Sequence, residues 1–240
     1  VFEWFPPEGG QPLIFSYRPY VVRNFSGLGV NPIVPEMQKS PFQVGETLLN
    51  ARVSPRVFSL SLRVVAGTKE ELAFYRRELA RAMTVNPVRQ TGEVAMGLFR
   101  FHRPEGEPLE LFCLPQESPQ FTEIDGAKWA VDADLEFVAP YPFWQDAEDS
   151  LAILAAEVGG LKFAVSFPME IGSANVERTI TNAGDIPAPI LARVFGEVDT
   201  FRLLNLTTGE ALEVLGPIAP GDFVEVNTAF GEKSIRYFDT

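Results

Sequence analysis

Hydrophobic and polar residues alternate with a period of two along much of the chain. Phe58, Leu60, Leu62 and Val64 are separated by Ser59, Ser61 and Arg63. Trp129, Val131, Ala133, Leu135 and Phe137 are separated by Ala130, Asp132, Asp134 and Glu136. Leu161, Phe163, Val165 and Phe167 are separated by Lys162, Ala164 and Ser166. Successive strand side chains point to opposite faces, so each run predicts a strand with one buried and one wet face. Two more strands are expected over 94–102 and 109–114, joined by the turn Arg103-Pro104-Glu105-Gly106-Glu107-Pro108.

One segment changes period. Thr68-Lys69-Glu70-Glu71 has the spacing of a capping box, in which the Thr hydroxyl accepts from the Glu71 backbone and the Glu71 side chain reaches back. Leu72, Tyr75, Leu79 and Met83 follow at helical spacing, and Asn86-Pro87 supplies a stop. The pattern predicts a helix over 68–83 whose apolar stripe covers a sheet. The second half returns to strands, expected over 176–181, 189–198, 201–206, 211–215, 222–227 and 233–238. Turns are expected at Asn182-Ala183-Gly184-Asp185, Thr207-Thr208-Gly209-Glu210 and Ala219-Pro220-Gly221-Asp222. Short strands at this spacing read as a β-sandwich. The fold class is therefore mostly β: an α+β N-terminal domain with one helix packed on a sheet, then a sandwich.

Charge supports a division into two domains. Of the 240 residues, 1–145 carry 14 Lys+Arg against 17 Asp+Glu, while 146–240 carry 6 against 15. The boundary falls in Ala139-Pro140-Tyr141-Pro142-Phe143-Trp144-Gln145-Asp146, where two prolines break the alternation. This gives domains 1–145 and 146–240, with a mobile or exposed connection expected within 139–150. The acidic half has no basic stripe with which to grip nucleic acid. No apolar run reaches membrane-spanning length, so no membrane insertion is expected. The start at Val1 carries neither an initiator Met nor a signal-peptide pattern, so residues upstream are expected.

Candidate chemistry is sparse. One Cys (Cys113) and one His (His102) exclude an intramolecular disulfide and multi-Cys or His-rich metal sites. No phosphate loop, dinucleotide fingerprint or nucleophile elbow is present. No cofactor, metal or catalytic residue is expected. Asp132, Asp134 and Glu136 lie on one strand face about 7 Å apart, a separation compatible with glycoside hydrolysis or calcium binding. The same alternation places solvated polar residues there without any activity. Cys113 reads as a buried thiol and His102 as a turn residue. Tyr141, Phe143 and Trp144 read as a seam between the domains, or as a platform for a sugar. The aromatic start Val1-Phe2-Glu3-Trp4-Phe5 is either an inner strand or a patch that docks on a neighbour.

The order of several short motifs goes further. Gly27-Leu28-Gly29, Ser40-Pro41-Phe42-Gln43-Val44-Gly45, a strand containing Arg56, the capped helix, and Ala139-Pro140-Tyr141-Pro142-Phe143-Trp144 follow one another. After them come Phe167-Pro168, Ile180-Thr181-Asn182-Ala183-Gly184-Asp185, Asn205-Leu206-Thr207-Thr208-Gly209-Glu210, and Pro220-Gly221-Asp222 with Val226-Asn227-Thr228. This order resembles the distal tail protein family of siphophages and related tail-like particles. The resemblance implies a hub at the virion tail tip, made in the bacterial cytoplasm, with a ring-forming N-terminal domain and an outer galectin-like β-sandwich. Implied partners are further copies in a hexamer, the tail tube protein, the tail-tip hub or tail-associated lysin, and the tape-measure protein, with DNA only passing through. Members of that family run on beyond the position of Asp239-Thr240, so a sandwich short of its last strands is implied.

Residues 1–138 are expected to carry the subunit contacts, because a small β domain leaves strand edges that a closed head-to-tail ring covers. Arg76, Arg77 and Arg81 are expected at the subunit interface. A carbohydrate-binding β-sandwich is the alternative function. Residues 146–240 contain no His and no Trp, which argues against a galectin-type sugar site. A glycan hydrolase using Asp132, Asp134 or Glu136 stands third.

Overall fold

The computed structural model describes residues 1–240 except 8, 32, 85–94, 148–178, 183, 197, 230 and 240. The expected strand around 161–167 and the Asn86-Pro87 stop lie outside the described residues; of the strand expected over 176–181, residues 176–178 also lie outside them and 179–181 are not strand. The chain divides into two compact units, Val1–Asp149 and Ser150–Thr240.

The first unit is built on one nine-stranded antiparallel sheet. Its path joins β2 (Leu13–Phe15), β1 (Phe2–Phe5), β7 (Gly97–Phe101), β8 (Leu109–Pro115), β10 (Ala130–Ala139), β6 (Arg56–Val65) and β3 (Tyr20–Ser26). β9 (Gln120–Glu123) adds to β10, and β11 (Gln145–Asp146) adds to β8. β8 forms the corner, because Leu109–Cys113 pair with β7 while Leu114 and Pro115 pair with β10. The path begins and ends on strands that are consecutive in the chain and pack on one another, so the sheet curls round a single core.

The core follows from the alternation. β6 and β10 pair over ten positions, from Ala130 opposite Val65 to Ala139 opposite Arg56. Phe58, Leu60, Leu62 and Val64 from one strand, and Val131, Ala133, Leu135 and Phe137 from the other, are buried. The opposite leaf contributes Phe2, Trp4, Phe99, Leu111 and Cys113. Trp4 and Phe137 rings lie 5.0 Å apart and Phe58 and Phe99 4.9 Å apart, so aromatics from both leaves interlock. The aromatic start is therefore an inner strand, between β2 and β7. Gly97 is required beneath it, since a Cβ there would lie 2.2 Å from the Trp4 ring. Trp129 departs from its expected inward position. It precedes β10 and is 39% exposed.

Helix α1 (Lys69–Ala82) starts at the expected Thr68 cap, whose hydroxyl accepts from the Glu71 N–H at 3.2 Å. The Glu71 carboxylate reaches one residue further back than a capping box requires and accepts from Gly67 N–H at 2.8 Å. Leu79, Ala82 and Met83 enter the core. Two side chains of the sheet anchor the helix. Trp4 Nε1 donates to the Ala82 carbonyl at 2.8 Å, filling one of the acceptors that a helix end leaves open. The Tyr20 hydroxyl lies 2.6 Å from Glu78 Oε2 and 3.0 Å from the Tyr75 carbonyl.

In the second unit the described residues form a three-stranded sheet, β12 (Leu191–Phe195), β15 (Phe223–Asn227) and β16 (Ser234–Phe238), and a hairpin of β13 (Val198–Leu204) and β14 (Ala211–Ile218). Ile218, Val224 and Val226 are buried, with Val194, Val198, Leu212 and Val214 packed against them, so sheet and hairpin share an apolar layer. The strand expected over 189–198 is two strands, broken at Gly196, whose φ is +101°. The two turns after Asn205 and Ala219 form as expected, each with a positive-φ glycine, Gly209 and Gly221.

Candidate functional site

One element of the first unit takes no part in the core. β4 (Ile33–Gln38) and β5 (Thr47–Val53) form a separate antiparallel hairpin, and every described residue of both strands is exposed. Its register sorts the side chains. Ile33 faces Val53, Pro35 faces Ala51 and Met37 faces Leu48, with Leu49 left over as a β-bulge. These three pairs share one face, and all six residues are apolar. The alternate pairs are Val34 with Arg52, Glu36 with Asn50, and Gln38 with Thr47. This second face is polar, and Arg52 Nη2 donates to Glu36 Oε1 across it at 2.8 Å.

The hairpin is thus an amphipathic ribbon with nothing over its apolar face among the described residues. Its edges discourage simple strand addition, since Pro35 removes a donor from β4 and the Leu49 bulge interrupts β5.

The tip is braced from within. Gln43 N–H donates to the Ser40 carbonyl, Gln43 Oε1 accepts from Ser40 N–H, and Gln43 Nε2 donates to Thr47 Oγ1 at 2.8 Å. This turn holds Phe42 at φ +64°, a conformation rare for a bulky residue, and leaves Phe42 and Val44 wholly exposed. A strained aromatic held out into water by its own turn is a feature of binding loops.

The residues expected at interfaces fall as follows. Arg76, Arg77 and Arg81 are all exposed on α1. Arg76 stacks over the Phe121 ring of β9, 4.8 Å from its centroid. Arg77 and Arg81 share the outer helix face with the exposed Phe74. Trp144 packs within the first unit: Nε1 donates to the Leu28 carbonyl at 3.3 Å and the ring lies 6.4 Å from Phe101. Tyr141 and Phe143 rings meet edge-on at 5.2 Å. The connection expected to be exposed within 139–150 is, up to 147, mostly packed on the barrel, with Pro142 buried and β11 paired to β8.

Two of the three candidate catalytic carboxylates, Asp132 and Asp134, are occupied by cross-strand partners. Asp132 accepts from Arg63 Nε and Nη2 at 2.7 and 3.0 Å, and Asp134 accepts from Ser61 Oγ at 2.6 Å. The bonds from Arg63 hold the Asp132 carboxyl below its usual range. Cys113 is buried, and burial pushes its thiol pKa well up, away from reactivity. His102 Nε2 lies 3.2 Å from Glu3 Oε1, beside the Arg100–Glu110 pair, on the polar face of the sheet. Among the described residues no group of three or more His, Cys, Asp or Glu converges on a possible metal position. Among them, too, no helix is long and apolar enough to cross a membrane.

The fold defines a class: a curled antiparallel barrel crossed by one helix, carrying a free hairpin and followed by a smaller β unit. Solved structures of phage hub and baseplate proteins share the fold. The chain is similar to the SPP1 Dit (gp 19.1) protein, described as a paradigm of the hub adsorption apparatus in phages infecting Gram-positive hosts. The TM-score is 0.54 at 13% identity, covering 95% of this chain and 79% of that one. It is also similar to a chain of the phage p2 baseplate in its activated conformation with Sr, at TM-score 0.51 and 10% identity, covering 100% and 85%. No family model matches the sequence, and no curated protein matches it.

The apolar hairpin face was not anticipated from the sequence. A weak signal was present in Ile33, Pro35 and Met37 alternating with Val34, Glu36 and Gln38, but the proline and the bulge hide it.

Proposed function

We propose that this chain is a structural hub of a phage tail tip, whose first unit closes a cyclic, hexameric ring joining the tail tube to the baseplate or receptor-binding apparatus. The observation that carries the reading is the hairpin. Six apolar side chains on one ribbon face, with Phe42 and Val44 at the tip, form the kind of exposed patch that marks an interaction site. The occupant is a second copy of this chain. A protruding element that docks on the body of the next subunit is a head-to-tail contact, and repetition by rotation closes a ring. The near balance of charge in residues 1–145 permits that approach, whereas the acid-rich 146–240 would repel its copies and splay outward.

Phe74, Arg77 and Arg81 on the outer helix face are a second surface for subunit contacts. In the particle the ring would meet the tail tube protein, the tape-measure protein and the tail-tip hub or lysin, with DNA only in transit. The second unit is read as a galectin-like sandwich without a sugar site, and Tyr141, Phe143 and Trp144 as the seam from which it departs.

The test is mass photometry and negative-stain imaging of the full chain and of the double variant Met37→Asp, Leu48→Asp. The wild-type chain should form rings with a central hole, and the variant should stay monomeric with an unchanged circular dichroism spectrum. A two-fold dimer without a pore, or rings from the variant at wild-type yield, would overturn the reading.

A further inference from the structure

The hairpin is an independent sheet, so something must set the direction in which it projects. Arg56, the first residue of β6, is only 2% exposed. It follows the hairpin directly, after Ser54-Pro55. Its Nη1 donates to the carbonyls of Gly27 and Gly29 at 2.9 and 2.8 Å, and Nη2 donates to Asn31 Oδ1. These three residues lie in the segment that leads from β3 into the hairpin. Its Nε donates to the Pro142 carbonyl at 2.8 Å, and the guanidinium lies 5.9 Å from the centre of the Trp144 ring. Trp144 in turn bonds to the Leu28 carbonyl. One guanidinium therefore gathers the incoming segment 27–31, the outgoing strand β6 and the strap 142–144.

No carboxylate shares this pocket with the guanidinium among its bonded partners. A buried cation without a counterion is costly, and burial lowers the Arg56 pKa accordingly. Neutral oxygens take four of its N–H donations. A planar fork can satisfy four acceptors spread over two segments, whereas a lysine ammonium is a point donor and cannot. Gly27 completes the arrangement. It sits at φ +80°, and a Cβ there would lie 2.4 Å from the Val57 carbonyl oxygen, so the incoming segment passes in contact with β6. The barrel core does not need this cation, since Leu60, Leu62 and Val64 bury that strand without it.

We infer that Arg56 is the positioning residue that fixes the hairpin root against the barrel and so sets the direction in which its apolar face is presented to the next subunit. The inference rests on the ring reading for its consequence, but the clamp can be tested without it.

The experiment labels Val44→Cys at the tip and Gln120→Cys on β9 with nitroxides in the full chain and measures their separation by pulsed electron resonance at monomeric concentration. Cys113 is buried and should not label. With Arg56 intact the distance distribution should be narrow. With Arg56→Lys it should broaden at least two-fold, while circular dichroism stays native. Ring yield should fall about ten-fold in the unlabelled Arg56→Lys chain. A narrow, unshifted distribution in Arg56→Lys would overturn the clamp. If Arg56→Lys unfolds, Asn31→Ala decides, because it removes one acceptor without touching β6: broadening supports the clamp and none overturns it. If the wild-type chain never forms rings, the ring reading fails while the distance measurement still judges Arg56.

Discussion

The barrel strands and the hairpin β4–β5 are both antiparallel, both alternate apolar with polar positions, and differ in where the apolar face goes. In β6 and β10 that face meets Trp4, Phe99 and Leu111 from the opposite leaf and vanishes from water. In the hairpin, Ile33, Met37, Leu48 and Val53 stand in the same kind of cross-strand pairs and all remain exposed. Local pattern alone therefore fixes an amphipathic ribbon and leaves open what covers it. In the barrel the cover comes from the same chain; in the hairpin no described residue supplies it, and the proposed cover is a second copy.

The largest test of that contrast is a pair of truncations. Trp4→Ala should destabilise the monomer by about 3–5 kcal/mol, because it opens a cavity between the leaves and removes the donor to the Ala82 carbonyl. Phe42→Ser, also a lost aromatic, should change monomer stability by no more than about 0.5 kcal/mol, since no described residue buries the ring and serine keeps the Cβ that strains the turn. Urea unfolding of both variants at monomeric concentration measures this. Equal losses would mean that the hairpin tip is part of the monomer core.

Legibility in the sequence followed the same divide. The ten-residue β6 and β10 runs, the helix and its Thr68 cap, and the turns at Gly209 and Gly221 could be read because local signals and tertiary burial agree there. Residues 1–53 were read poorly. β1 and β2 are short and sit among prolines and glycines, so their alternation covers too few positions to count. The hairpin pattern is broken by Pro35 and by the Leu49 bulge. Arg56 could be picked out within a motif order, but its partners lie at positions 27–31 and 142, far apart in sequence and mostly backbone carbonyls. Backbone acceptors leave no residue signature. The carboxylates of β10 were correctly placed on the polar face, and their partners Arg63 and Ser61 were visible only once the register was known.

A smaller effect separates anchored from free elements through pH. Tyr20→Phe should cost about 1.5–3 kcal/mol, the worth of a hydrogen bond to a charged group. Burial, with the Glu78 bond, raises the Tyr20 pKa in the folded chain. A raised folded value means that this stabilisation is complete below the unfolded value of about 10 and decays as the pH rises above it. Stability measured from pH 8 to 11 should show this alkaline loss in the wild type and not in Tyr20→Phe. Parallel profiles would show that the hydroxyl does not hold the helix. Thr68→Ala should cost about 1 kcal/mol with no alkaline component, because only the helix cap is lost.

The smallest effect compares one kind of contact in the two settings. Arg63–Asp132 on the barrel and Arg52–Glu36 on the hairpin are both cross-strand ion pairs, with side chains 30% and 38% exposed in the first and 66% and 49% in the second. Exposed pairs are worth roughly 0–1 kcal/mol, and solvent screening discounts both. The barrel pair is bidentate and its strand is held on both sides, so less side-chain entropy is lost in making it. Its hydrogen bonds keep the Asp132 pKa low, aided by the charges of Arg63 and Arg23. A depressed folded value means that the contribution is present above the unfolded value of about 4 and disappears as the pH falls through the folded one. Asp132→Asn should therefore lower stability slightly at neutral pH and flatten the acid limb below about pH 4, with the difference shrinking in high salt. A double-mutant cycle on Arg52 and Glu36 should give a coupling near zero in the monomer. A coupling as large as that of Arg63–Asp132 would mean that the hairpin is as firmly ordered alone as the barrel, and that its exposed face needs no second subunit to hold it.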